Sequence, residues 1–227
     1  MRHISVHARI RKFWATCFPA NWSSLLLGLL LLSLMVASVL SAMSGNWGHA
    51  FLCLAAFFLA LVPFVLAAET PLYLPRIFSM FVALFVYATL YLGEVHRFYY
   101  SVWWWDVMLH SGSAFTFGII ALIIMLLAFN KKQLVASPLI VATFVLSFAL
   151  ALGLLWEIFE FTNDQLRGTD MQHVKETGIV DTMKDEIVDV VGASAAAALA
   201  YFYVRPGKKT PLDSVIRKTV KKNKRAA

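Results

Sequence analysis

Charged residues are scarce in this sequence. Only 15% of its 227 residues are Asp, Glu, Lys or Arg, whereas 60% are hydrophobic. Soluble domains carry about 25% charged residues, so the composition does not fit an ordinary soluble domain. Several apolar runs reach the length of about 18 residues or more that a spanning helix needs. The shortage of charge therefore indicates an integral membrane protein.

Cysteines and common catalytic motifs are scarce as well. The two cysteines, Cys17 and Cys53, lie in a basic segment and in an apolar run, which fits neither a disulfide framework nor a CxxC metal site. The sequence contains no HExxH, P-loop or GxGxxG motif. Ser111 and Ser113 lie beside His110. Ser111 directly follows His110, and adjacent residues do not face each other on a helix, so a serine hydrolase is not indicated.

Six hydrophobic segments predict an all-α integral membrane bundle of about six transmembrane helices. They lie near residues 25–43, 50–68, 77–95, 106–129, 138–161 and 184–204. The predicted organisation is a basic N-terminal segment (1–21), a six-helix transmembrane domain (22–204) and a basic tail (205–227). Ser137 and Pro138 predict the N-cap and the first turn of the fifth helix.

Positive residues are distributed unevenly among the predicted loops. Sixteen Lys and Arg residues fall in the two terminal segments and in loops two and four, against three in loops one, three and five. Loops rich in Lys and Arg stay on the cytoplasmic side of a membrane. We therefore expect a multi-pass membrane protein with both termini in the cytoplasm.

The C-terminal tail carries nine of these positive residues between Arg205 and Arg225. A polar, basic segment of this kind is typical of a flexible tail that fixes topology and contacts anionic lipid headgroups. The lipid bilayer and its anionic headgroups are therefore the expected partners. Nucleic acid is not expected, because the positive charge lies beside predicted membrane spans.

Acidic residues are few but concentrated. Nine of the thirteen Asp and Glu residues lie in the stretch 156–193. The predicted topology brings the outward ends of helices three to six to one layer. These ends carry the acids together with two histidines: Glu94, His96, Asp106, His110, Glu157, Glu160, Asp164, Asp181, Asp185, Glu186 and Asp189.

Helical spacing places several of these groups on shared faces. Asp106 and His110 are four residues apart, and so are Asp185 and Asp189, which makes each pair neighbours on a helix surface. Glu157 and Asp189 lie deepest in their predicted helices. Because an ionisable group inside a membrane is costly, it faces a partner, a water-filled cavity or a bound ion.

Two explanations do not require a bound metal. In the first, the acids pair with Arg97, Lys184 and Arg167, cap helix ends and form a structural network. In the second, they belong to a proton or cation pathway of a transporter. The transport explanation lacks an obvious polar lining in the cytoplasmic half of the predicted helices.

A divalent-metal site is the third explanation. Carboxylate and imidazole groups that converge from facing helices of a bundle can hold Zn, Mn or Fe. The expected ligands are His110, Glu157, Asp185 and Asp189. A metal there would activate water for hydrolysis of a lipid-borne or periplasmic substrate. The expected catalytic acids and bases are Glu157, Glu160 and Asp106.

Two stretches of the sequence resemble a known family. "WWWDVMLHSGSAFTFGIIAL" and "WEIFEFTNDQLRGTDMQHVKETGIVDTMKDEIVDVVGA" resemble the YjdF-like family of bacterial inner-membrane proteins and, more distantly, VanZ-like membrane proteins. The resemblance covers roughly residues 90–200. It implies a location in the bacterial inner (plasma) membrane and a shared polar constellation rather than a particular activity. The matching residues are Asp106, His110, Trp156, Glu157, Glu160, Asp164, Gln172, Asp181, Thr182, Asp185, Asp189 and Gly192.

Overall fold

The computed structural model of the protein describes residues 14–15, 18–128 and 136–226. The expectations for the basic residues up to Lys12, for Cys17, and for Lys131 and Lys132 lie outside these ranges. All regular secondary structure within them is helical, which confirms the all-α fold class. Six helices of the described ranges are long and apolar enough to span a membrane.

Each predicted hydrophobic segment corresponds to one of these long helices, the third of which continues from an α-helix into a π-helix. The elements in chain order are α1 (Trp22–Met43), α2 (Trp47–Glu69), α3 (Arg76–Val86), π1 (Tyr87–Val95), α4 (Phe98–Ser101), α5 (Trp105–Ala128), α6 (Pro138–Arg167), α7 (Val174–Thr177), α8 (Val180–Val204) and α9 (Asp213–Ala226). They divide between two compact units, one of Met1–Val102 with Lys221–Ala227 and one of Trp103–Val220.

The first unit packs α1, α2 and α3 around a small apolar core. Leu27 and Leu31 of α1 lie against Phe64 of α2 and Met80 of α3. The opposite faces of these helices expose large apolar side chains, for example Leu25. Contiguous exposed apolar surface is rare on soluble proteins, so these faces are the ones that lipid would cover.

The second unit packs α5, α6 and α8 closely together. Its core contains Leu122 of α5, Val145 of α6 and Ala196 of α8. A Cβ added at Gly118 of α5 would overlap the Cβ of Ala196. Small residues at such contacts let membrane helices approach each other closely. Small residues of α8 such as Ala196 therefore serve packing within this unit.

Two helices of the second unit extend beyond the apolar runs that predicted them. Helix α6 continues six residues past 161 and ends where Gly168 adopts a left-handed conformation with φ 67°, which is common after a helix C-terminus. Helix α8 begins four residues before 184, with Asp181 in its first turn, where a carboxylate is favoured by the helix dipole. Hydropathy alone marks the apolar part of each helix. The expected N-cap of α6 is confirmed, because Ser137 accepts from the amide of Ile140.

The C-terminal tail is not the flexible segment expected from its composition. Helix α9 has Ile216 buried in the core of the second unit. Within the first unit, to which the end of the helix belongs, Asn223 Oδ1 accepts from the Tyr73 amide at 2.7 Å and Asn223 Nδ2 donates to the Tyr73 carbonyl at 3.0 Å. A buried apolar residue and a paired main-chain contact explain why this basic segment is helical.

Candidate functional site

Helices α5, α6 and α8 bring most of the sequence-predicted polar residues into one region of the second unit. Just inside this region lie Ala114, Ala149 and Ala193, one from each helix, which are buried together. His110 and Asp189 each lie one helical turn from one of these alanines. The polar groups therefore sit directly on a tightly packed, apolar layer.

His110 lies between two carboxylates. Its Nε2 is 3.8 Å from Asp106 Oδ1 one turn earlier on α5, and its Nδ1 is 3.5 Å from Asp189 Oδ1 on α8. His110 and Asp189 are 9% and 2% exposed. The two ring nitrogens thus face different carboxylates, and no described residue other than His110 offers Asp189 Oδ1 a hydrogen-bond donor.

Asp185 completes a compact group with Asp106 and His110. One potential ligand atom from each of these residues lies within 4.8 Å of the other two. Asp185 is buried, and Asp106 is partly exposed. Two helices therefore supply one imidazole and two carboxylates, a donor set that suits Zn, Mn or Fe.

Lysine and arginine do not neutralise these acids within the described part of the chain. No Lys or Arg nitrogen there lies within 4.0 Å of a carboxylate of this region, and the His110 imidazole is the one basic group found at that distance. Lys184 and Arg167, which were expected as partners, are exposed. Buried charges are normally paired or bound to a metal, so the arrangement lacks positive charge.

Glu157 of α6 is also buried in this region, with 4% of its surface exposed. Its Oε2 accepts from Gln172 Nε2 at 3.4 Å, and the same amide nitrogen lies 3.1 Å from Thr182 Oγ1. Its Oε1 is buried and has no hydrogen-bond partner among the described residues. One oxygen of Glu157 is therefore held, whereas the other can still accept a proton or a hydrogen bond.

Gln172 reaches Glu157 because Asp164 anchors the connecting loop. Asp164 Oδ1 accepts from the Met171 amide at 2.8 Å and the Thr169 hydroxyl at 2.6 Å, and its Oδ2 accepts from the Gln172 amide at 3.1 Å. The loop after α6 is thereby folded back along the helix. Asp164, which the sequence grouped with the outward acids, serves the loop main chain instead.

The remaining predicted acids have other surroundings. Glu160 is half-buried and accepts from Trp156 Nε1 at 2.9 Å on its own helix. Asp181 is half-buried in the first turn of α8. Glu94 and His96 belong to the first unit, where the His96 ring packs edge-on at 4.7 Å from that of Tyr91.

Two further residues, Gly153 and Gln172, contribute to the region. The sequence-based prediction of the site did not include them. A Cβ added at Gly153 of α6 would overlap Asp189 Oδ2 and lie 3.1 Å from its Cγ. The signal for Gly153 in the sequence is a lone glycine in an otherwise apolar helix, which often marks close packing. Gln172 lies in a polar loop, and only the family resemblance drew attention to it.

Comparison with known proteins agrees with this picture. A family model described as "Predicted membrane protein (DUF2238)" matches residues 24–206. An uncharacterized protein of Thermotoga maritima is 26% identical over 150 residues, which cover 63% of this chain and 75% of that protein. No solved structure matches the chain. Neither match bears on the more distant VanZ-like resemblance, which stays a prediction. Because the family model spans most of the sequence, the chain belongs to the DUF2238 family of predicted membrane proteins.

Proposed function

We propose that Asp106, His110 and Asp185 bind a divalent cation such as Zn, Mn or Fe. The observation that carries the proposal is the 4.8 Å limit on the separation of their ligand atoms. Tetrahedral ligands at about 2.0–2.2 Å from one metal lie about 3.3–3.6 Å apart, so the three side chains would close by at most about 1.5 Å to bind one ion. The absence of a Lys or Arg partner among the described residues supports the same conclusion.

This ligand set differs from the one expected from the sequence. Asp106 joins the ligands, because its carboxylate is nearest to His110 Nε2. Asp189 lies at the other ring nitrogen of His110. It is therefore assigned to supporting the imidazole rather than to binding the metal. Glu157, with Gln172 on one oxygen and no described partner on the other, is assigned to proton transfer rather than to the metal.

The reaction that this arrangement supports best is hydrolysis. Three protein ligands leave coordination positions open for water, whose pKa a bound divalent metal lowers. Glu157 Oε1 would accept the proton that the attacking water loses and return it to the leaving group. Gln172 would hold the carboxylate in place through Oε2. Glu160 stays a second candidate for the acid or base.

The substrate is proposed to be borne by lipid or to approach from the periplasm. Ile158 and Phe159, which follow Glu157 on α6, are each 51% exposed, so apolar surface lies next to the acid. In the predicted topology, the same helix end faces outward. A substrate with an acyl or prenyl chain in the bilayer could therefore present its polar end to this region.

The two alternatives are less well supported by the described residues. A satisfied structural network should provide a partner for Glu157 Oε1, but this atom accepts no hydrogen bond among those residues. A transport pathway should continue across the membrane as a line of polar side chains. Next to His110 and Asp189, the helices instead carry the buried layer of Ala114, Ala149 and Ala193.

Helix α9 is also part of the proposed contact with the membrane. Its buried face is formed by Ile216, Thr219 and Asn223. Positive side chains cover the exposed face: Arg217, Lys218, Lys221, Lys222, Lys224 and Arg225. We propose that this face contacts anionic headgroups on the cytoplasmic side of a bacterial inner membrane, where basic segments are attracted.

A turnover assay tests the proposed reaction. Protein stripped with chelator and reconstituted in liposomes is offered phosphoester and carboxyester lipids, with and without added Zn, Mn or Fe, and products are measured by mass spectrometry. We expect metal-dependent product release that falls about 10²- to 10⁴-fold in Glu157→Gln, and no loss in the loop control Asp170→Asn. Turnover that persists without metal, or that is unchanged in Glu157→Gln, would contradict the proposal.

A further inference from the structure

Three helices meet at the side chain of Asp189, which is 2% exposed. On one side, its Oδ1 lies 3.5 Å from His110 Nδ1 of α5. On the other, its Oδ2 occupies the space that a side chain at position 153 of α6 would fill. The carboxylate is therefore confined between an imidazole and a glycine.

We infer that Gly153 and Asp189 together position His110 as a metal ligand, so that Nδ1–H points to Asp189 and Nε2 faces Asp106 and Asp185. The inference rests on the proposed metal function. In proteins, the hydrogen bond made by one ring nitrogen of histidine determines which nitrogen is left for a metal. Carboxylates commonly take this role behind a ligating imidazole and raise its basicity.

Distances support this division of roles. Asp106 is 3.8 Å from Nε2, and Asp189 is 3.5 Å from Nδ1, so the two carboxylates lie at opposite nitrogens of the ring. One metal ion cannot bind both nitrogens of the same imidazole. Asp106, which groups with Asp185, therefore belongs on the metal side, and Asp189 belongs behind the ring.

Gly153 is required because α6 passes close to α8 at this level. A Cβ at this position would meet the Asp189 carboxylate rather than any main-chain atom. Gly153→Ala should therefore displace the carboxylate while leaving the helix contact intact. Gly112 of α5 offers a matched control, because a Cβ there would have no heavy atom within 4 Å.

The test measures metal affinity of the full chain in detergent by titration with Zn and Mn. We expect Asp189→Asn and Gly153→Ala each to weaken affinity about 10- to 100-fold, as is typical for partners behind a metal ligand, with Gly112→Ala at the wild-type value. Unchanged affinity in both Asp189→Asn and Gly153→Ala would overturn the inference. Wild-type protein that binds neither metal would instead refute the proposed function.

A second measurement does not depend on metal. ¹⁵N NMR of selectively labelled histidines, with His110 assigned by comparison with His110→Gln, reports which ring nitrogen carries a proton. We expect Nδ1 of His110 to be protonated in the metal-free wild type, whether or not Nε2 is. A neutral ring with its proton on Nε2 alone would overturn the inference even if metal binds.

Discussion

Gly192 of α8 lies directly against the main-chain carbonyl of Ser111 on α5. A Cβ added at this glycine would overlap that oxygen and lie 2.9 Å from the carbonyl carbon. Because main-chain atoms cannot rotate away as a side chain can, the contact requires glycine. It holds α5 and α8 at the separation that brings His110 and Asp189 together.

Replacing this glycine should therefore destabilise the second unit. We expect Gly192→Ala to lower the free energy of unfolding by about 1–3 kcal/mol, the range typical of overpacking. Thermal unfolding in detergent measures the change. Gly112→Ala changes a glycine of α5 that lies in open space, so this control variant should not be destabilised. Equal stability of the two variants would show that α5 and α8 do not pack as closely as described.

Removal of the Asp164 carboxylate should release the loop that carries Gln172. Asp164→Ala loses acceptors for the Met171 and Gln172 amides, and hydrogen bonds to a charged group contribute about 1.5–3 kcal/mol. Hydrogen exchange followed by mass spectrometry should show faster exchange in residues 169–173. Asp170→Ala is the control, since its carboxylate accepts one longer bond, at 3.3 Å, from the Lys175 amide. Slow exchange retained in Asp164→Ala would contradict the loop anchor.

Helix α9 has a pH-dependent contact in its first turn. Arg217 Nε donates to Asp213 Oδ2 at 2.8 Å, and this hydrogen bond holds the pKa of the Asp213 carboxyl below its ordinary value. The contact should be complete above the ordinary pKa of 3.8 and lost as the pH falls through the lower folded-state value. Carboxyl ¹³C NMR titration measures the pKa, which should rise in Arg217→Gln. A pKa unchanged by that substitution would exclude the arginine as the cause.

Much of the fold could be predicted because lipid selects long apolar helices. Hydropathy identified all six, but it missed the polar turns at the end of α6 and the start of α8, since those residues lie outside the apolar runs. Helix α9 was missed because its basic composition obscured the i, i+3, i+7 pattern of Ile216, Thr219 and Asn223. The apolar residues Leu212, Ile216 and Val220, which are spaced four residues apart and pack at the core of the second unit, are a further signal for a packed helix.

The candidate site was predictable where its members share a helix. Asp106 with His110, and Asp185 with Asp189, follow from a spacing of four residues. The crossing of α5, α6 and α8 determines which carboxylate lies at each ring nitrogen of His110. Sequence spacing does not predict how these helices cross. Gln172 was missed as a contact of Glu157 because the path of a loop depends on its anchor, here Asp164.

The central claim is that Asp106, His110 and Asp185 hold a divalent cation, and metal content tests it most directly. Wild type, His110→Ala, Asp185→Asn and the control Asp170→Asn are purified in detergent without chelator, incubated with Zn, Mn or Fe, desalted and analysed by elemental mass spectrometry. We predict about one metal ion per chain in the wild type and the control, as for a discrete ligand set, and background levels in the other two variants with their folding intact. Metal absent from the wild type, or retained by both site variants, would contradict the account.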